Sequence, residues 1–544
     1  MVSQLENLNQ PTQGKRKQLV TKPWRFLLVA VLAIGIIFRF ANLDGKVYWF
    51  DENATIFKIS GYTIEEWDSV KNKLNGQIIS IKDFQKSYSP NSQSNVIDTI
   101  ELLALQDSKH TPLYFAILRL WVDLFGNSAA VMRSLSALIS LLIFPCLYWL
   151  CLELFQSPLV GWIAVALIAV SPFHVLYAQE VRPYSLLAVT ILLSSAALLR
   201  AIRLKTKLSW GLYILSWSLS IYTHTLSLFV FIAHGIYVLA TYGIRRSKVS
   251  IAYLIATLVG VLTFTPWLFF IVTNYDRVSE SLEWQTNKSL PFSSLVIYWI
   301  IYLSRIFLDL NPSWQLDTDL SSFQNPLSLF LITILLALVV YSIYFLCRST
   351  PIRIWLFIVI LIGIPALAIL LPDLVFGGIR SSAARYLIAS YLGIHLAVAY
   401  LLGTKIASSS SSIWTQKLWQ IATVIIISGG ILSGAIISPA ETWWNKYPYE
   451  EIPQIAKIIN QANSPLLIFD KQGRRDGWSI SNFLEPKVQV ELLNEPNIIK
   501  VPDEFSDVFL FNPAEEWQAR LAQKQKFKMK PIYKKTFSLW RLEN

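Results

Sequence analysis

The chain has 544 residues, 54% hydrophobic and only 15% charged, with a mean hydropathy of +0.46. Soluble domains carry about 25% charged residues, so an ordinary water-soluble protein is excluded; the apolar residues come in blocks, several of the length that crosses a bilayer as a helix. The net charge of +12 does not indicate nucleic acid, because the basic residues gather in short clusters between apolar blocks, as expected of cytoplasmic loops.

In chain order, residues 1–23 contain the cluster Lys15, Arg16 and Lys17 and are assigned to the cytoplasm. The block Trp24–Ala41 lacks a small-residue cleavage site and is read as an uncleaved first span, with Arg39 snorkelling near its outer end. Residues 42–130 form a large external loop. Its apolar stretch Pro112–Phe125 is too short to span and is read as an interfacial helix. Spans follow at Val131–Leu150, Leu159–Val170, Tyr184–Ile202, Leu208–Tyr222, Leu226–Tyr242 and Ile251–Val272. The clusters Arg200–Lys207, Arg245–Lys248, Arg348 with Arg353, and Lys405 with Lys417 mark the inner side. Leu295–Leu308 is read as a second external juxtamembrane helix, because counting it as a span would put Arg348 and Arg353 outside. Leu327–Leu346, Ile354–Leu371, Tyr386–Leu402 and Trp419–Ile437 complete the bundle, and Ser408–Ser412 reads as a flexible loop.

The expected fold is therefore an α-helical polytopic membrane protein of about 11 spans in the inner (plasma) membrane, N-terminus cytoplasmic. Residues 24–437 form its membrane domain. The tail, 438–544, loses its spans and reads as a small extracytoplasmic α/β domain. Its strands are expected at Pro465–Phe469, Val488–Leu492 and Val508–Phe511, and its helices at Tyr449–Gln461 and Ala514–Gln525. Cys146, Cys151 and Cys347 lie in or beside apolar blocks without metal or disulfide spacing.

Four polar clusters fall at the outer ends of helices: Tyr48-Trp49-Phe50-Asp51-Glu52, Lys109-His110-Thr111-Pro112-Leu113-Tyr114, Tyr177-Ala178-Gln179-Glu180-Val181-Arg182-Pro183-Tyr184, and Arg380 with Arg385-Tyr386. An enzyme on that side has no ready supply of nucleotide sugars, so a membrane-held sugar phosphate is the natural donor. Phosphate monoesters ionise a second time near pH ~6, so the leaving oxygen needs no proton donor. One carboxylate must take the acceptor's proton, and cations must hold the phosphate. Asp51 suits the first role; Arg182 and Arg385 suit the second, since guanidinium grips phosphate through a bidentate fork. Trp49, Tyr114 and Tyr184 would stack on sugar or line a lipid groove. His110 would cap the following helix or touch substrate. The remaining histidines are scattered singly and read as packing groups.

The run Trp49-Phe50-Asp51-Glu52, the run His110-Thr111-Pro112-Leu113-Tyr114-Phe115, Arg133, Ser171-Pro172-Phe173, the run Gln179-Glu180-Val181-Arg182-Pro183-Tyr184 and Arg385-Tyr386, in that order and spacing, resemble the GT-C superfamily of membrane glycosyltransferases. The similarity is to the branch of protein O-mannosyltransferases and lipid A aminoarabinose transferases (glycosyltransferase family 39-like). It implies a polyprenyl-phosphate sugar donor, an extracytoplasmic acceptor hydroxyl, inverting transfer, Asp51 as catalytic base or acceptor-binding group, and Glu180 near the donor or acceptor. The expected catalytic set is Asp51, Glu52 and Glu180, with Asp51 the base and Glu52 and Glu180 positioning the acceptor or tuning Asp51. Trp49, His110, Tyr114, Arg182, Tyr184, Arg385 and Tyr386 are expected to bind substrate. Some members of the superfamily need a divalent metal; this branch generally does not, and no cofactor is expected. The tail does not resemble the sugar-binding module of eukaryotic protein mannosyltransferases, which weakens the case for a protein acceptor. Two other classes fit the composition alone. A transporter or flippase should show midplane ionisable residues and paired repeats, and a scaffold would not need the clustered carboxylates and arginines.

Overall fold

The computed structural model describes residues 22–543 except 88–89, 92, 244–246, 312–324, 409–411, 495–503 and 525–527. The N-terminal basic cluster, Arg245, Arg246 and the middle of the serine run therefore lie outside the described residues.

The eleven apolar blocks all fold as helices. Seven helices are long and apolar enough to cross a membrane, and eight if Pro158–Ala169 and Pro172–Ala178, bent by 61°, form one span. The other three blocks give Lys22–Phe40, Lys207–Thr223 and Ser227–Tyr242. At 1.5 Å per residue these reach about 24–28 Å, just short of a ~30 Å hydrocarbon core. The stretches 112–125 and 295–308 form the helices Leu113–Phe125 and Phe292–Arg305. Tyr184–Leu204 and Ala384–Ala407 are enclosed by the others, whereas Lys248–Thr273 and Pro326–Ser349 keep most of their apolar surface exposed, as lipid-facing helices should.

The bend after Ala169 leaves carbonyls without helical partners, and Arg39 supplies them. Its guanidinium donates to Ala169 O (2.5 Å), Ile168 O (3.0 Å) and Gly35 O (2.7 Å) while fully buried. Arg39 is thus a structural donor rather than a snorkelling side chain. The close approach also demands Gly35, where a Cβ would stand 2.4 Å from Ala169 O.

Beyond one end of the bundle lies a six-stranded sheet of order β1-β3-β2-β4-β6-β5. Its strands are β1 (Ile78–Ser80), β2 (Pro465–Phe469), β3 (Gln489–Leu492), β4 (Asp507–Phe511), β5 (Lys528–Lys534) and β6 (Ser538–Glu543). β2 runs parallel to β3 and β4; the other pairs are antiparallel. The helices Ile452–Asn460, Lys471–Ser481 and Glu515–Lys524 complete the α/β unit. β2, β3 and β4 coincide with the expected strands. β1 comes from the first long loop and pairs Ile78 with Glu491. One face of the sheet also buries Val47, Trp49, Ile81 and Phe84 of that loop against Leu467, Phe469, Val490 and Phe511. The loop and the tail therefore share a core.

Candidate active site

The chain enters the helix Phe50–Ser60 from an extended Trp49 (φ −111°, ψ 173°) and leaves it at Gly61, whose φ of 75° favours glycine and whose Cβ position is taken by the Ser94 side chain. Asp51 and Glu52 occupy the first turn, where the helix dipole favours carboxylates. Successive helical residues point about 100° apart. The two acids therefore meet different surroundings.

Glu52 points inward and is fully buried. Its Oε1 accepts from Arg133 Nε (2.9 Å) and the Val181 amide (3.1 Å), and its Oε2 from Arg133 Nη2 (3.1 Å) and Lys446 Nζ (2.9 Å). Arg133 spends its other donor capacity on the carbonyls of Leu43, Lys46 and Val47. Burial alone would raise the Glu52 carboxyl, but Arg133 and Lys446 hold it well below its ordinary value. Glu180 lies beside this cluster, also fully buried, with Oε1 accepting from Asn445 Nδ2 at 2.5 Å. Burial, reinforced by the nearby Glu52 charge, pushes the Glu180 carboxyl up. Both acids were expected among the catalytic groups, yet each is sealed from the outer surface. Tyr114 is sealed as well, its hydroxyl 2.7 Å from Ser136 Oγ. Glu52, Glu180 and Tyr114 thus line the inner side of the site, each held by partners of its own.

Asp51 points the other way and keeps 19% of its side chain exposed. Its Oδ2 lies 3.3 Å from Arg385 Nη2 and 3.9 Å from Arg182 Nη2. Burial pulls its pKa upward, but Arg182 and Arg385 outweigh this and leave it below the ordinary 3.8. Arg182 is fixed through Nη1 to Asp51 O (3.2 Å) and Thr55 Oγ1 (2.9 Å). Its guanidinium lies 5.5 Å from the Tyr184 ring centre, and Tyr184 Oη accepts from Nη2 at 3.5 Å. Arg385 stands over Trp49 (5.1 Å) and beside the Tyr386 ring (5.2 Å). Tyr386 Oη accepts from Gln285 Nε2 at 3.3 Å. The Nε atoms of Arg182 and Arg385 are buried without a hydrogen-bond partner among the described residues.

Seven residues beyond Asp51, on the same helix face, Lys58 pairs with Asp107 at 3.1 Å. Asp107 also lies 3.0 Å from His110 Nδ1, and Lys109 Nζ donates to Ser281 O at 3.3 Å. Burial, with help from Lys58, lowers His110 to about 4, so it is neutral at physiological pH. Among the described residues, no group of three or more His, Cys, Asp or Glu could hold a metal ion. Lys58, Asp107, Lys446 and Asn445 were not among the expected site residues. Lys58 carried a signal, its i, i+7 spacing from Asp51; Lys446, 394 residues from Glu52, carried none.

Residues 109–270 match the family described as dolichyl-phosphate-mannose-protein mannosyltransferase. The whole chain superposes on ArnT from Cupriavidus metallidurans bound to undecaprenyl phosphate, with a TM-score of 0.50 at 13% identity, covering 96% of this chain and 98% of that one. The chain has the GT-C fold. The apo form of the same ArnT gives a TM-score of 0.49 at 12% identity over 95% and 98% of the two chains. No curated protein matches the sequence. Within this GT-C chain, the matched segment runs from Lys109 through Arg133, Glu180, Arg182 and Tyr184. Asp51, Arg385 and the sheet lie outside it.

Proposed function

We propose that this GT-C chain is an inverting glycosyltransferase that moves a sugar from a polyprenyl-phosphate donor to an acceptor hydroxyl on the outer side of the membrane. The observation that carries the reading is Asp51: a partly exposed carboxylate between two guanidiniums that each retain a spare buried N–H. Support for the donor comes from the superposed ArnT, which binds undecaprenyl phosphate.

The acceptor oxygen attacks the anomeric carbon on the face opposite the phosphate while Asp51 takes its proton. The bond from the anomeric carbon to the phosphate oxygen breaks, and its electron pair leaves with the phosphate, turning a monoanionic diester into a dianionic monoester. Arg182 and Arg385 receive that growing charge, with Lys58 and Lys109 adding positive potential nearby. Before the donor binds, both arginines face Asp51 and weaken it as a base. Phosphate competes for them, so donor binding itself restores the basicity of Asp51. Trp49 and Tyr184 hold the guanidiniums from behind, Glu52 and Glu180 fix the backbone that carries Asp51 and Arg182, and His110 orients Asp107.

The test is transfer of radiolabelled sugar from polyprenyl-phosphate donors in liposomes, comparing wild type with Asp51→Asn. Transfer or slow donor hydrolysis that disappears in the variant supports the reading. Equal activity in the variant removes Asp51 from the chemistry. Absence of turnover across a panel of donors shifts the assignment to transport of a lipid-linked sugar.

A further inference from the structure

We infer that Asp373 is a positioning residue that sets Arg385 against Asp51 by clamping the turn between two helices; the inference rests on the role proposed above for Arg385. Asp373 lies in the last turn of the helix Ile352–Phe376, one residue after Pro372, with its side chain fully buried. Its Oδ2 accepts from the Ser381 amide (2.7 Å) and Ser381 Oγ (2.8 Å), and its Oδ1 from Arg380 Nη1 (2.9 Å). A buried carboxylate is tolerated only with such full pairing, and here all of it is spent on one short turn.

That turn has little freedom left. Gly377 and Gly378 adopt φ of 76° and 131°. A Cβ on Gly378 would lie 2.5 Å from Arg380 Nη1, 2.7 Å from Asp373 Oδ1 and 2.8 Å from Gln285 O. From the opposite side the Ile379 amide donates to Gln285 O (2.9 Å) and Tyr302 Oη to Ser382 O (2.6 Å). Two 3-10 turns, Arg380–Ser382 and Ala384–Leu387, then deliver Arg385 to within 3.3 Å of Asp51. Asp373 is thus four residues from Ser381 to Arg385 away from the candidate site, and touches neither Asp51 nor its cations. Asparagine cannot substitute for it, since one of its two terminal atoms would present N–H groups to donors.

The decisive experiment is a double-mutant cycle on binding of undecaprenyl phosphate to purified full-length protein, followed by intrinsic tryptophan fluorescence, with Asp373→Asn, Arg385→Ala and the pair. Asp373→Asn is expected to weaken binding about tenfold, and to add nothing once Arg385 is gone, the non-additivity of residues acting through one another. Ser381→Ala, which removes a single hydrogen bond, should give a smaller loss in the same direction and covers a misfolded Asp373→Asn. Additive losses, or wild-type binding by Asp373→Asn, would overturn the clamp. Amide exchange without ligand decides it separately: residues 379–387 must exchange faster in Asp373→Asn than in wild type, and unchanged exchange rejects the inference. A wild type that binds no polyprenyl phosphate sinks the donor reading alone, because the exchange result still stands.

Discussion

Asp51 and Glu52 are neighbours of nearly the same chemistry, and each faces two cations, yet they belong to different regions. Around Glu52, each carboxylate oxygen accepts two hydrogen bonds, every guanidinium nitrogen of Arg133 donates, and the carboxylate has no exposed surface. Around Asp51, the contacts are longer, the two arginines hold spare N–H groups, and a fifth of the carboxylate is exposed. A saturated ion cluster can do nothing except hold the backbone, because any ligand would have to break it. An unsaturated one has donors free for a ligand, at a cost to its own stability. Under the proposed function, activity belongs to the incompletely satisfied pair of arginines around Asp51 rather than to the more densely charged cluster around Glu52.

The sharpest way to break this contrast is to neutralise each acid in turn. Asp51→Asn should lower turnover about 10²–10⁴-fold, the usual contribution of a general base, with the melting temperature unchanged. Glu52→Gln should destabilise the protein by about 3–5 kcal/mol, because Arg133 and Lys446 would remain buried without their counter-charge; its readout is thermal unfolding in detergent. If Glu52→Gln folds normally and only loses activity, the division between the two regions is wrong. Arg385→Ala should weaken polyprenyl phosphate by about 1.5–3 kcal/mol, the value of a hydrogen bond to a charged group, measured by titration.

Two pH measurements sharpen the contrast further. The carboxyl of Asp51 titrates below its ordinary value in the free site, so the acid limb of kcat/KM should fall below pH 3.8. Once phosphate engages the arginines, the limb in kcat should move to higher pH; coincident limbs would show that phosphate does not compete for them. Glu180 has the opposite sign. Its folded pKa is raised, so the folded state holds a proton that the unfolded chain has lost, and stability falls as pH rises above 4.5. Glu180→Gln should flatten that slope in a series of melts from pH 5 to 8.

Much of the architecture was legible because a bilayer makes every span satisfy its own backbone, so long apolar blocks at Ile354–Leu371 or Trp419–Ile437 could hardly be anything else. The strands at 465–469 and 507–511 showed as short apolar runs between polar helices. β1 did not, since three residues, Ile78-Ile79-Ser80, make no pattern, and β5 is masked by lysines at Lys528, Lys530 and Lys534. For the site, Asp51, Arg182 and Arg385 stood out as residue types suited to phosphate chemistry. That Glu52 is turned inward and sealed did not, because helical phase relative to the bundle is a tertiary property. Asp373 and Lys446 escaped for the same reason: their partners are set by packing, not spacing.

The pairing of β1 with β3 has a consequence for how the protein is made. Ile78 must find Glu491, and Glu52 must find Lys446, 394 residues later. At about 5–20 residues per second, the first loop therefore waits some tens of seconds for the chain that completes it. Until then Trp49, Ile81 and Phe84 have no sheet to cover them and Arg133 lacks part of its ionic partnership. The surroundings of Asp51 are thus among the last parts of the molecule to be completed.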